Sequence, residues 1–235
     1  MQKFNISHIG IIMDGNRRWA KNQGMHIFEG HKQGAKTLKQ ISEFCQKIGI
    51  KALTVYALSI ENLKKRPIEE LACHFGLHKQ YIKQEILDTD RFVRDQIRFK
   101  AFGRVDQLPK DEQEMIKQAE EKTKHFSDFH FNVCLAYNGQ DEIIDAVKQI
   151  MQKGMNPEEI TRETIKQHIY NKNLPAPELI IRTGMNPEQR LSGFMLWDSS
   201  YSEFHFTKTL WPAFSEQELT EILEKFTNRE RRLGK

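Results

Sequence analysis

His8-Ile9-Gly10-Ile11-Ile12-Met13-Asp14-Gly15-Asn16-Arg17-Arg18-Trp19-Ala20-Lys21 changes character halfway along. Its first half is apolar on successive residues, the pattern of a strand buried on both faces. Its second half opens with an acid, then a glycine suited to a tight turn, then the start of a helix. Similar β-rich runs stand at 52–57, 97–102, 129–136, 179–182 and 203–206. Helical patterns fill the intervals at 29–48, 67–94, 109–125, 140–153, 160–170 and 215–231. Asn156-Pro157-Glu158-Glu159 has an N-cap, a first-turn proline and an acid at N3, and Ser215-Glu216-Gln217-Glu218 reads as a capping box. Strands alternating with helices predict an α/β fold: a single domain, 1–235, with a mainly parallel six-stranded sheet covered by helices. Ligands in such folds sit beyond the carboxyl ends of the strands, so the residues after each run carry the interest.

The bulk numbers limit the chemistry. At 235 residues, 38% hydrophobic and 29% charged with both signs mixed, the chain is globular rather than disordered. A net charge of +4 suits anionic small molecules and predicts no nucleic-acid partner. The basic run Arg229-Glu230-Arg231-Arg232 reads as a solvated helix end. Cys45, Cys73 and Cys134 are odd in number and lack a C-x-x-C pair, which points to a reducing compartment. No run approaches the ~20 apolar residues of a membrane span, and Met1-Gln2-Lys3-Phe4-Asn5 leads directly into a strand. The expectation is a cytoplasmic protein that meets lipid only through a pocket or at a membrane surface.

Several strand ends carry candidate groups. Asp14 suits a hard cation such as Mg²⁺, which takes one or two carboxylates together with phosphate oxygens. Asn16 and Arg18 follow as possible anion contacts. Gly30-His31-Lys32-Gln33-Gly34-Ala35 is no P-loop, because three residues separate the glycines and alanine follows the second. His31 is nonetheless a candidate phosphate contact. Ser59-Ile60-Glu61-Asn62 with the basic stretch to Pro67 reads by itself as a helix-entry loop with solvent-facing lysines, and alternatively as a segment that closes over an anion. Arg182, Arg190 and Ser192 together suit a diphosphate. Glu203 lies between Ser202 and Phe204 at a strand entry, where an acid needs a partner or a metal, and it is the natural second carboxylate for Asp14. His74 and His78 share a helix face next to Cys73, but no third ligand stands at a recognisable spacing, so no metal site is expected there. Ile68, Leu71, Ala72, Phe75, Ile82 and Ile86 form an apolar stripe that fits either a core or a tunnel wall.

Taken in order, HIGIIMDGNRRWAK at 8–21, GHKQG at 30–34, Ser59-x-Glu61-Asn62, IRTG with RLSGFMLW at 181–197, YSEF at 201–204 and NRERRLG at 228–234 resemble cis-prenyltransferases of the undecaprenyl diphosphate synthase type. The resemblance implies an α/β sheet with an apolar tunnel, a homodimer, and elongation of an allylic diphosphate, with farnesyl diphosphate as the expected primer, by isopentenyl diphosphate. Asp14 and Asn62 would be catalytic. Asp14 and Glu203 would hold Mg²⁺. Gly15, Asn16, Arg18 and His31 would cradle the allylic diphosphate, with Trp19 and Glu61 counted among the substrate-binding residues. Arg182, Arg190 and Ser192 would hold isopentenyl diphosphate, and Ser59 would sit with Asn62 on the closing loop. Arg232-Leu233-Gly234 resembles a segment that reaches the partner's site. A lipid product would bring peripheral contact with a membrane. The chain departs from the family pattern at Ile27, where an arginine is usual, at Leu63, at Asn138-Gly139-Gln140 and at the inserted Asn186-Pro187. Ile27 favours the other reading, a non-catalytic partner subunit. The retained Asp14, Asn16, Arg18, Arg182, Arg190, Ser192 and Glu203 favour the enzyme.

Overall fold

Three central strands of this chain have no solvent side. In the computed structural model, which describes residues 4–185 and 188–228, β1 (His8–Ile12), β2 (Ala52–Tyr56) and β5 (Leu179–Arg182) are buried at every position. Ile9 and Ile11 pack into one core layer with Leu53, Val55 and Phe131. Ile12 and Tyr56 pack into another with Phe102, Tyr137 and Phe194. Two covered faces explain the unbroken apolar runs.

All pairings are parallel. With β3 (Ile97–Phe102), β4 (Phe129–Cys134) and β6 (Glu203–Phe206), the sheet has six strands in the order β3-β4-β2-β1-β5-β6. The chain leaves β1 to one side for β2 and returns on the other side with β5. β1 and β5 therefore flank the switch point of the sheet, where the connections diverge and open a crevice. The predicted strands agree with these to within two residues.

The helices are less regular than their patterns. Between β1 and β2 lie α1 (Asn16–Asn22) and α2 (Ile27–Lys47). After β2 come α3 (Ile60–Lys65) and α4 (Ile68–Tyr81). The single helix expected at 67–94 breaks: α4 runs into a π-helical turn at Ile82–Leu87, and a separate turn, α5 (Arg91–Arg94), follows. α6 (Lys110–Thr123) and α7 (Gly139–Gln152) lie close to prediction. Asn156 leads only a 3₁₀ turn, Pro157–Glu159, and Thr161 caps the short α8 (Arg162–Lys166). Ser215 caps α9 (Glu216–Thr227) by accepting from the Glu218 N–H, while the Glu218 carboxylate accepts from Thr207. No described helix is long and apolar enough to cross a membrane. The Asn186-Pro187 insertion and the 229–234 segment lie outside the described residues.

GHKQG proves to be a packing device. Gly30 and Gly34 are one turn apart on α2 and let it approach α1 closely. A Cβ at Gly34 would stand 2.2 Å from Asn16 Oδ1, and one at Gly30 would stand 2.2 Å from the Asn16 carbonyl oxygen. The loop after β5 is held just as firmly. Tyr137 donates its hydroxyl to Glu142 at 2.6 Å and accepts from the Met195 N–H at 3.1 Å, while the Tyr170 N–H donates to the same carboxylate at 3.0 Å. Burial pushes Glu142 up from 4.5 to about 7.

Two outcomes follow for stability. Gly34→Ala should lower it by ~1–3 kcal/mol in a denaturant titration, because the added methyl overpacks the contact with α1. Gly76→Ala, on α4 with open space around it, should raise stability by ~0.5–1 kcal/mol. Equal effects at both sites would contradict the packing account. For Glu142, the unfolded chain releases its proton near 4.5 while the native carboxyl keeps its own to about 7. The native state binds the extra proton between those values, so this group makes stability fall as pH rises through that window. Glu142→Gln should therefore gain stability relative to wild type between pH about 5 and about 7. A pH-independent difference would contradict the assignment.

Candidate active site

Asp14 follows β1 and Arg182 ends β5, so the register of the two strands brings them together across the switch point. Arg182 Nη2 donates to Asp14 Oδ2 at 2.9 Å. The other carboxylate oxygen accepts from Arg18 Nη2 at 3.1 Å. The Asp14 backbone is equally fixed: its carbonyl accepts from Thr183 Oγ1 at 2.8 Å and from the Trp211 N–H at 3.0 Å. Gly15 turns the chain into α1 with φ 114, beneath Leu210, a conformation and a clearance that exclude a side chain.

Arg182 is only 5% exposed. Besides Asp14, its guanidinium donates to the Ser192 hydroxyl at 2.8 Å and to the Arg190 carbonyl at 2.6 Å. Arg182 and Ser192 thus form one unit. The Arg190 side chain stands at the rim, paired with Glu188 at 2.8 Å.

Two cavities meet at Asp14. One, on the α1 side, is lined by Asn16, Arg17, Arg18, Lys21, His26 and Arg66. The other, on the β5 side, is lined by Arg17, Lys65, Arg66, Arg182, Arg190 and Ser192, with Ser59, Glu61 and Asn62. Cations outnumber acids in both, and Asp14, Arg17 and Arg66 belong to each. Such an arrangement suits two polyanions held side by side. Ser59 caps α3 by accepting from the Asn62 N–H at 3.0 Å, which makes this segment a helix entry. Glu61 accepts from Asn138 at 2.5 Å, which joins this helix to the start of α7.

A third, apolar cavity lies behind the α1-side one. Leu38, Leu77, Tyr81, Ile82, Phe99 and Phe131 are among its walls, and Met13, Asn16 and His31 line both cavities. The stripe on the predicted helix therefore divides: Ile82 lines this cavity, Ile86 belongs to the core, and Ile68 is 86% exposed.

Three expected site residues are placed differently. Glu203 begins β6 and pairs in register with Leu179, three residues before the level of Arg182. It therefore lies ~10 Å back along the strand, toward the end of the sheet opposite Asp14. Sequence marks a strand entry but not the end of the sheet to which it belongs, and within one chain Glu203 does not join Asp14. Trp19 is half-buried on α1 and lines neither anion cavity. His31 is buried, and burial, with Arg66 and Arg17 nearby, lowers its pKa to about 4. At neutral pH it is therefore an uncharged imidazole, not a cation.

Sequence reading missed Arg17 and Arg66 as site residues. Arg66 stands between the two anion cavities and pairs with Glu70 at 3.4 Å. An Arg-Pro start followed by an acid four residues on was the available signal, and a basic loop obscured it.

The comparisons with known proteins agree with this geometry. The model of the undecaprenyl diphosphate synthase family, Prenyltransf, matches residues 12–234. A tritrans,polycis-undecaprenyl-diphosphate synthase (geranylgeranyl-diphosphate specific) of Methanopyrus kandleri is 44% identical over 97% of this chain and 84% of that one. An isoprenyl transferase of Fusobacterium nucleatum is 42% identical over 100% of this chain and 98% of its own. The crystal structure of lavandulyl diphosphate synthase from Lavandula x intermedia, in complex with dimethylallyl diphosphate, superimposes with a TM-score of 0.91 at 32% identity, covering 98% of both chains. A strand-end acid clasped by two arginines, paired anion cavities and likeness along the whole chain lead to one conclusion: this chain belongs to the undecaprenyl diphosphate synthase family and is a prenyltransferase.

Proposed function

We propose that the enzyme condenses isopentenyl diphosphate with an allylic diphosphate primer and lengthens it into a cis-polyprenyl diphosphate, such as the precursor of an undecaprenyl lipid carrier. The observation that carries this reading is the pair of cation-rich cavities sharing Asp14, one of which adjoins an apolar cavity.

Each diphosphate brings roughly three negative charges near neutral pH, so two can lie side by side only among cations. The allylic diphosphate occupies the α1-side cavity, with Arg18, Lys21 and Arg17 around it and its hydrocarbon tail directed past Met13 and His31 into the apolar cavity. Isopentenyl diphosphate occupies the β5-side cavity on Arg182, Ser192 and Arg190. As the allylic C–O bond breaks, charge builds on the departing diphosphate, and Arg18 and Arg17 are placed to take it up. The double bond of isopentenyl diphosphate, held at a fixed distance by its own arginines, then attacks the allylic carbon. Loss of one proton completes the new double bond. Asn62, on α3 just after its cap Ser59, lines the β5-side cavity that holds isopentenyl diphosphate.

Asp14 fits Mg²⁺: it is a half-exposed carboxylate shared by both cavities, and such an ion needs only one or two carboxylates when phosphates complete its shell. Asp14 alone of the expected pair would hold it in this chain. When bound, Mg²⁺ supplies Lewis-acid stabilisation of the leaving diphosphate.

The setting extends the proposal. Exposed Met25 and Phe28 stand near the mouth of the α1-side cavity with Lys21, a combination suited to peripheral contact with a membrane as product leaves. Ile144, Val147 and Met151 make an exposed apolar stripe on α7 that suits a homodimer. Three unpaired cysteines suit the cytoplasm.

Incubation of the purified protein with isopentenyl diphosphate and either farnesyl or geranylgeranyl diphosphate, read by mass spectrometry, tests the reading. A ladder of products one isoprene unit apart is expected, abolished by chelator. Farnesyl is the primer expected from the family resemblance, while the name of the Methanopyrus relative specifies geranylgeranyl diphosphate. Asp14→Ala should reduce turnover by ~10³ or more with the fold intact. Wild-type-like turnover in that variant would overturn the mechanism. Absence of product with either primer would favour the non-catalytic partner subunit, with Ile27 on the cavity wall as the first position to restore to arginine.

A further inference from the structure

α4 carries a second polar group to the region where the α1-side and apolar cavities adjoin. Glu70 and His74 are one turn apart on this helix, and His31 faces them from α2. Their exposures are 4%, 7% and 7%. One ligand atom from each lies within 4.8 Å of the other two. The two imidazole rings meet edge to face, with centroids 4.1 Å apart.

Hydrogen bonding leaves this group incomplete. His31 Nε2 and Glu70 Oε1 are buried 3.9 Å apart and neither makes a hydrogen bond, with Arg66 at 3.4 Å from the carboxylate oxygen as its nearest cation. The fold treats its other buried histidine differently: both ring nitrogens of His8 are engaged at 2.8 Å, by Pro175 O and Thr54 Oγ1. His78, the i+4 neighbour of His74, is also settled, against Glu112 at 3.0 Å.

We propose that His31, Glu70 and His74 form a binding site for a divalent transition-metal ion of the zinc class, separate from the Mg²⁺ site at Asp14. Two imidazoles and one carboxylate, with a fourth position left open, are a donor set that zinc uses and that magnesium, with its preference for all-oxygen shells, does not. The main competitor is Arg66. It donates to His74 Nε2 and lies 3.4 Å from Glu70 Oε1. A cation thus already occupies the place, and because Arg66 also lines both anion cavities, it has an alternative position among phosphates. Arg17, 3.9 Å from Glu70 and largely exposed, adds a weaker opposing charge.

A bound ion would tie α2 to α4 at the wall between the α1-side cavity and the apolar one, since His31 lines both and His74 lines the second. The pair of histidines at 74 and 78 drew attention in the sequence, but the actual partner of His74 comes from a different helix and His78 takes no part. Binding at this site does not rest on the transferase reading.

Titration of the chelator-stripped protein with Co²⁺, a spectroscopic stand-in for Zn²⁺, tests the proposal. One Co²⁺ per chain is expected, with the intense visible bands of four-coordination, displaced by one equivalent of Zn²⁺ and not by excess Mg²⁺. His74→Leu places an apolar side chain against an apolar cavity and should fold. It should weaken Co²⁺ binding by ~100-fold or more, since even a residue supporting a ligand is worth ~10–100-fold. Glu70→Gln is the second variant should His74→Leu unfold, and the same loss is expected. His78→Leu should bind as wild type does. Weak octahedral bands, undiminished binding in a folded His74→Leu or Glu70→Gln protein, or equal loss in His78→Leu would overturn the site.

Discussion

Arg182 reaches from the end of β5 to Asp14 beyond β1, and this contact organises the crevice at the switch point. A guanidinium as deeply buried as this one stays charged only if its donors are matched, and removal of a partner from such a pair costs ~3–5 kcal/mol. Asp14, Ser192 and the Arg190 carbonyl match its two Nη groups, while Nε is buried without a partner. The bond also sets the electrostatics. Asp14 lies between Arg18 and Arg182, so one carboxylate lets two cation-rich cavities share a wall without mutual repulsion. In the proposed reaction, a diphosphate in either cavity would offer those arginines a second anion, which would leave Asp14 able to hold Mg²⁺.

The supporting structure follows from the same requirement. Thr183 and Trp211 hold the Asp14 backbone, Gly34 lets α2 press Asn16 into place, and Tyr137 with Glu142 holds the loop that carries Ser192. Polar groups that bind charge therefore rest on rigid elements. The apolar cavity lies directly behind them, between α2, α4 and the sheet, so a ligand with an anionic head and a hydrocarbon tail meets both chemistries in sequence.

Much of this was legible in the residues. β1, β2 and β5, buried on both faces, leave unbroken apolar runs, and their ends located Asp14 and Arg182; β3, β4 and β6 were found from β-rich composition despite partly exposed positions. α1 and α3 are too short to show a helical period, and their starts lie inside the motifs, at Gly15 and Ser59. The break in the predicted 67–94 helix was hidden because the π-helical turn at Ile82–Leu87 keeps its apolar residues inward. Glu203 was misplaced for a different reason: parallel register, which is a three-dimensional fact, decides the end of the sheet at which a strand begins. The His31–Glu70–His74 group was invisible because α2 supplies one member and α4 the other two.

The central claim is that Asp14 holds the arginines which a diphosphate must recruit. Calorimetric titration of wild type and Asp14→Asn with inorganic pyrophosphate, in metal-free buffer, tests it most directly. Neutralising Asp14 frees Arg18 and Arg182, so the variant should bind pyrophosphate more tightly than wild type, by ~10-fold for each ~1.4 kcal/mol of competition removed. Equal or weaker binding by a folded Asp14→Asn protein would contradict the account.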